Sequence, residues 1–134
     1  MKAEDPWSIS KDYATKSSFK KYAKKHPDEY TSCFANLDKI ISLLNGGTKL
    51  AQLKIGFFRS EKDDLWRIGQ TQVQDAHETR LYVSINDVTK IIHILKIGDK
   101  SSQAQDIPDC KKIIRSKIKA SSTNLSQKDQ NKRQ

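Results

Sequence analysis

The sequence predicts a small α+β domain in which an N-terminal helical hairpin packs on an antiparallel β-sheet and a basic C-terminal helix closes the chain. Three observations predict it. Residues 13–25 and 27–44 place apolar side chains at helical spacing, and residues 64–97 change to runs rich in β-branched and aromatic residues. Residues 107–119 then return to helical spacing, with lysine and arginine around most of the circumference. A length of 134 residues is material for one core, placed in a domain over residues 1–120. Residues 121–134 lack apolar periodicity and are read as a disordered basic tail.

Each element has its own signal. Trp7 and Ile9, separated by a polar residue, suggest a short first strand. Over residues 13–25, Tyr13, Ala14, Phe19, Tyr22 and Ala23 turn inward and lysines stud the outer face, and Pro27 ends this helix by disfavouring helical geometry at His26. Pro27-Asp28-Glu29 opens the next helix, because proline fits a first turn and acids suit the positive end of the dipole. Tyr30, Cys33, Phe34, Leu37, Ile40, Ile41 and Leu44 form its apolar stripe, and Gly46-Gly47 stop it. The sheet begins at Leu65-Trp66-Arg67-Ile68 and continues with Arg80-Leu81-Tyr82-Val83-Ser84-Ile85 and Ile91–Ile97. The turn at Asn86-Asp87 makes the last two an antiparallel hairpin. The final strand is apolar on both faces and belongs inside the sheet. Ile107, Cys110, Ile113, Ile114 and Ile118 form the apolar side of the last helix.

Composition narrows the function classes. With 35% hydrophobic and 31% charged residues the chain fits a soluble globular protein. No apolar run approaches the roughly 20 residues a membrane span needs, and Met1-Lys2-Ala3-Glu4-Asp5 is not followed by the apolar core of a secretion signal. A cytoplasmic location without membrane association is expected. Cys33 and Cys110 stand far apart and outside metal-ligand spacing, so two reduced thiols are expected. No cofactor or metal is expected, since no glycine-rich phosphate loop, Ser-His-Asp arrangement or carboxylate cluster is visible. The net charge of +9 is uneven: +4 over residues 1–27, −1 over 28–95 and +6 over 96–134. Two basic ends brought onto one surface attract a polyanion; separately they are a solvated helix face and a basic tail.

The order strand, two helices, antiparallel strands, basic terminal helix resembles the RelE/ParE superfamily of toxin–antitoxin toxins. The residues behind the resemblance are Leu65-Trp66-Arg67-Ile68, His77-Glu78-Thr79-Arg80-Leu81-Tyr82-Val83, and Ile91–Ile97 followed by Gly98-Asp99-Lys100. They are similar to that family's aromatic-basic-Ile strand, its Arg-Leu-Val-Tyr strand, and its apolar strand ending in Gly and a basic pair. The likeness extends over residues 7–119, and residues 64–100 carry its specific part. The RelE branch implies a metal-independent nuclease that cuts messenger RNA in the ribosomal decoding site, the upstream ribose 2′-hydroxyl attacking the phosphate, with messenger and ribosomal RNA and a cognate antitoxin as partners. The ParE branch of the same fold implies a different class, a protein that binds and inhibits DNA gyrase. A third alternative is a member that binds RNA without cutting it.

By matching position, Arg80 corresponds to the family's phosphate-contacting arginine, Lys100 to a second catalytic arginine, and Arg67 to a lysine in many members. Lysine at 100 supplies a point charge without arginine's bidentate fork. The tyrosine that RelE carries in its C-terminal segment is missing, with Gln105-Asp106 in its place, so the base is unassigned. A symmetric Asn86–Thr89 turn sets Tyr82 opposite His93 and Arg80 opposite Leu95 on one face, making His93 and Tyr82 candidates. His93 is equally a structural histidine among isoleucines, and Arg80 a strand-end arginine paired with Glu78 or Asp99. Trp66 is either a base-stacking aromatic or a core residue, and His77-Glu78 either orient Arg80 or belong to a loop. Lys96, Lys111, Lys112 and Arg115 are the RNA-binding candidates, with the Lys20-Lys21 and Lys24-Lys25 pairs as a second basic face open to ribosomal RNA or to solvent alone.

Overall fold

Alternating burial and helical stripes meet in a three-layer arrangement, described over residues 6–73 and 77–119 of a computed structural model. The predicted tail at 121–134 and the opening residues 1–5 lie outside the described residues. In chain order the elements are β1 (Ser8–Ser10), α1 (Lys16–Lys25), α2 (Pro27–Asn45), a 3₁₀ turn (Leu50–Gln52), β2 (Phe58–Ser60), β3 (Leu65–Gly69), β4 (Thr79–Asn86), β5 (Ile91–Asp99) and α3 (Gln103–Ile113). The last of these winds on as a π-helix over Ile114–Lys119.

The sheet has five strands in the order β1-β5-β4-β3-β2. The expectation of an antiparallel sheet is corrected at one edge: β1 runs parallel to β5, the connection between them passing through both helices and the three antiparallel strands β2, β3 and β4. A second correction is β2, which extends the sheet by pairing Arg59 with Arg67; three residues are too few for a periodic signal. The first helix starts at Lys16 rather than residue 13, since Thr15 is held extended as its N-cap (φ −83°, ψ 101°). It ends at Lys25 before His26-Pro27, and α2 stops where Gly47 takes a positive φ of 102°.

The helical hairpin covers one face. Phe19, Cys33, Leu37, Ile40 and Leu44 pack against Ile68, Leu81, Val83, Ile85, Ile92, Ile94 and Ile97. Trp66 belongs to this side, stacked on Phe58 with ring centroids 4.5 Å apart, so it packs as a core aromatic. Asn36 is buried with them and donates to the Gly69 carbonyl at 2.8 Å, which fixes α2 against the end of β3. The opposite face is narrower: Leu65, Tyr82 and Leu95 lie under Cys110, Ile114 and Ile118 of the terminal helix. β5 sits between β1 and β4, as its two apolar faces require. Both cysteines are free thiols, and burial pushes each up to about 12.

Candidate functional site: a basic cleft at one end of the sheet

The pairing of β4 with β5 differs from the symmetric-turn expectation. Asn86 Oδ1 accepts the backbone N–H groups of Val88 and Thr89, Lys90 turns through a φ of 57°, and Asn86 pairs with Ile91. His93 therefore faces Ser84, and an irregularity between Tyr82 and Val83 places Tyr82 opposite Lys96 and Arg80 opposite Gly98. Ser84 and Arg80 are four residues apart, which sets His93 roughly 13 Å along the sheet from Arg80. The expected Arg80–Tyr82–His93 cluster is thus replaced by a spread along one face.

Tyr82 is fully buried beneath the terminal helix, and its hydroxyl has no hydrogen-bond partner. Burial, with nearby Asp106 second, raises its pKa far above the usual phenol. His93 has its Nδ1 buried without a partner and its ring 5.6 Å from that of Tyr13; burial lowers its pKa. Neither group is presented to a substrate at the arginines.

The arginines do converge. Arg67 from β3 and Arg80 from β4 line one cavity of about 290 Å³ with Arg59 from β2, closed by Gly56, Gly69 and Gln70. Cross-strand pairing puts Arg59 beside Arg67, and the missing side chain at Gly69, the partner of Arg80, leaves the space open. Arg67 Nε lies 3.1 Å from Glu61 Oε1, and its Nη1 donates to Gln103 Oε1 at 3.5 Å, joining the cleft to the start of α3. Glu78 Oε2 stands 3.8 Å from Arg80 Nη2 and 3.9 Å from Lys100 Nζ, so one exposed carboxylate bridges the two residues put forward as phosphate contacts. Arg80 Nε is buried and unpartnered. The cleft offers a small anion several fork-shaped donors and an excess of positive charge.

The proposed RNA-contacting set separates into two groups. Lys96 is not presented outward: its ammonium is held 3.1 Å from Asp106 Oδ1 and 3.0 Å from Asp109 Oδ2. Burial opposes its charge, and these two acids more than restore it, raising its pKa. Lys111 lies 3.4 Å from Asp63 in the β2–β3 turn. Lys112 and Arg115 are exposed on the outer face of the terminal helix, and Lys20, Lys21, Lys24 and Lys25 are exposed on α1.

Sequence reasoning missed Arg59, hidden in a strand too short to show period 2. It also missed His26, read only as the residue before a helix-breaking proline. His26 stacks on His77 with ring centroids 4.3 Å apart and planes 4° apart, at the same sheet end as the cleft. No group of three or more His, Cys, Asp or Glu side chains arranged to hold a metal occurs among the described residues, and no helix there is long and apolar enough to cross a membrane. Comparison with protein-family models, curated proteins and solved structures finds no match to this chain.

Proposed function

We propose that this chain is a RelE-like toxin, a metal-independent endoribonuclease that cuts messenger RNA on the ribosome and is silenced by a cognate antitoxin. The observation that carries the reading is the convergence of Arg59, Arg67 and Arg80 on one cavity, with Lys100 joined to Arg80 through Glu78. Attack of a ribose 2′-hydroxyl on the adjacent phosphate builds negative charge on the phosphoryl oxygens, and pre-placed guanidinium groups stabilise that charge without reorganising. The element order that underlies the resemblance is the order the chain adopts, with β2 added at the edge. Exposed lysines on α1 and the outer cations of the terminal helix suit a surface that works against ribosomal RNA.

Mapping transcript ends after brief expression, with and without ribosomes, tests this reading. Codon-phased cuts made only with ribosomes are expected. Intact transcripts would sink it, and intact transcripts accompanied by DNA-damage induction would turn the assignment to a gyrase inhibitor of the ParE kind.

A further inference from the structure

Cleavage by a 2′-hydroxyl needs a group to take its proton, and neither Tyr82 nor His93 is placed to do so. The His26–His77 stack, at the same end of the sheet, is a further candidate. His77 Nε2 lies 2.7 Å from Asp99 Oδ2. Asp99 is itself fixed, accepting from the Ser101 hydroxyl and the Ser102 backbone N–H. These contacts, Ser101 first and then His77, hold its carboxyl well below the usual carboxylate range. A fixed anion at Nε2 favours the tautomer that carries its proton there and leaves a lone pair on Nδ1. On the other ring, His26 Nδ1 is 3.4 Å from Glu29 Oε2, which also accepts the His77 backbone N–H at 3.3 Å. Tyr22 of α1 packs its ring 5.0 Å from His26 and hydrogen-bonds Thr79 at 2.7 Å.

The backbone contact to Glu29 already anchors this segment to α2. The imidazole–carboxylate pair does something else, because its imidazole is 44% exposed and an exposed pair contributes little stability. It sits at the same end of the sheet as the cleft but toward α1 and α2, where Asp99 pairs with Thr79, whereas Arg80, paired with Gly98, faces the terminal helix. Glu78, which bridges Arg80 and Lys100, directly follows His77. At about 3.3 Å per residue, the His77 and Arg80 backbones are no more than roughly 10 Å apart.

We propose that His77, aimed by Asp99 and stacked on His26, is the proton acceptor in phosphodiester cleavage, acting on RNA that crosses this end of the sheet with its phosphate on Arg80 and Lys100. The inference rests on the ribonuclease reading above. His77 Nδ1 takes the 2′-hydroxyl proton, the 2′-oxygen bonds to phosphorus, and the bond from phosphorus to the 5′-oxygen breaks. The electron pair leaves on the 5′-oxygen, which takes a proton from water, and His77 returns its own proton to solvent. The products are a 2′,3′-cyclic phosphate and a 5′-hydroxyl end, with no redox change and no co-reactant.

The test uses the full chain, His77→Gln and Asp99→Asn, ribosome-bound messenger for cutting, and a short single-stranded RNA for binding by anisotropy. His77→Gln is expected to cut about 100-fold more slowly or worse, the scale of a lost general base. Its RNA affinity and melting temperature should stay near the parent's. Asp99→Asn should lower kcat while leaving KM unchanged, as expected of a positioning residue. A cutting parent whose His77→Gln variant keeps the parental rate overturns the assignment. So does a loss of cutting that only tracks lost RNA affinity or lost melting temperature, which makes the pair a structural latch. A parent that leaves the messenger intact overturns the ribonuclease reading itself, and this inference with it.

Discussion

The two faces of the sheet are built by different rules. Under α1 and α2 the contacts are almost wholly apolar, and Asn36, the buried amide there, has its hydrogen bonds made. Under the terminal helix the sheet buries Tyr82 Oη, His93 Nδ1 and Arg80 Nε without partners and holds Lys96 between two carboxylates. A dry, satisfied face supplies stability, whereas unpaired buried polar groups lower it. The hairpin face therefore carries more of the stability, and the other face buries polar groups at a cost; of those four residues Arg80 lines the cleft.

The comparison breaks most directly through the core. Ile40→Ala, at a fully buried site on the hairpin face, should cost about 2–5 kcal/mol in urea unfolding, and Ile118→Ala on the other face, where the side chain is 8% exposed, clearly less. Equal losses would mean that the faces share the load.

On the proposed ribonuclease reading, Arg80→Ala should slow cutting of ribosome-bound messenger by about 100- to 1,000-fold, the range seen when one transition-state donor is removed, while the urea midpoint moves little. A large loss of stability with intact cutting would reassign Arg80 to the fold.

Gly98→Ala sharpens the contrast at the cleft edge. A Cβ there would collide with Asp106 Oδ2 and come within 2.6 Å of the Ser102 hydroxyl. Asp106 is buried and engaged with Lys96, so it has little room to give. A loss of about 1–3 kcal/mol is expected by thermal melting.

Tyr82→Phe runs the other way. Removing a buried hydroxyl that has no partner should leave stability unchanged or raise it by up to about 1 kcal/mol, with cutting at the parental rate. A clear fall in cutting would restore Tyr82 to the chemistry.

The smallest effect concerns pH. Burial lowers the folded-state pKa of His93 below its ordinary 6.5, against a weaker opposing pull from Asp12. The unfolded chain then binds this proton at higher pH than the folded chain. The stability associated with neutral His93 is fully present above about pH 6.5 and declines as pH falls below it. His93→Gln should flatten the dependence of the urea midpoint over that interval.

Helices α1 and α2, strands β3, β4 and β5 and the terminal helix were legible because each repeats one apolar period over enough residues to be seen. Arg67, Arg80 and Lys100 were put forward as a set through the resemblance; the structure brings Arg67 and Arg80 to one cavity and Lys100 to the same carboxylate as Arg80. The positions of His93 and Tyr82 were not legible. They depended on where the β4–β5 turn closes, and the left-handed Lys90 and the irregularity at Tyr82/Val83 both change the register without altering the hydrophobic pattern that precedes them.

By itself, then, the sequence determined the helices and the longer strands, that α1 and α2 lie on a sheet, and that basic residues cluster toward the ends. Local periodicity and proline and glycine placement suffice for that. Only the tertiary structure decided that Arg59 joins the cleft, that Lys96 is spent on Asp106 and Asp109, and that His26 and His77 stack beside it. Those are pairings between distant segments, set by strand register and by the angle at which the hairpin returns over the sheet, and no local pattern encodes either.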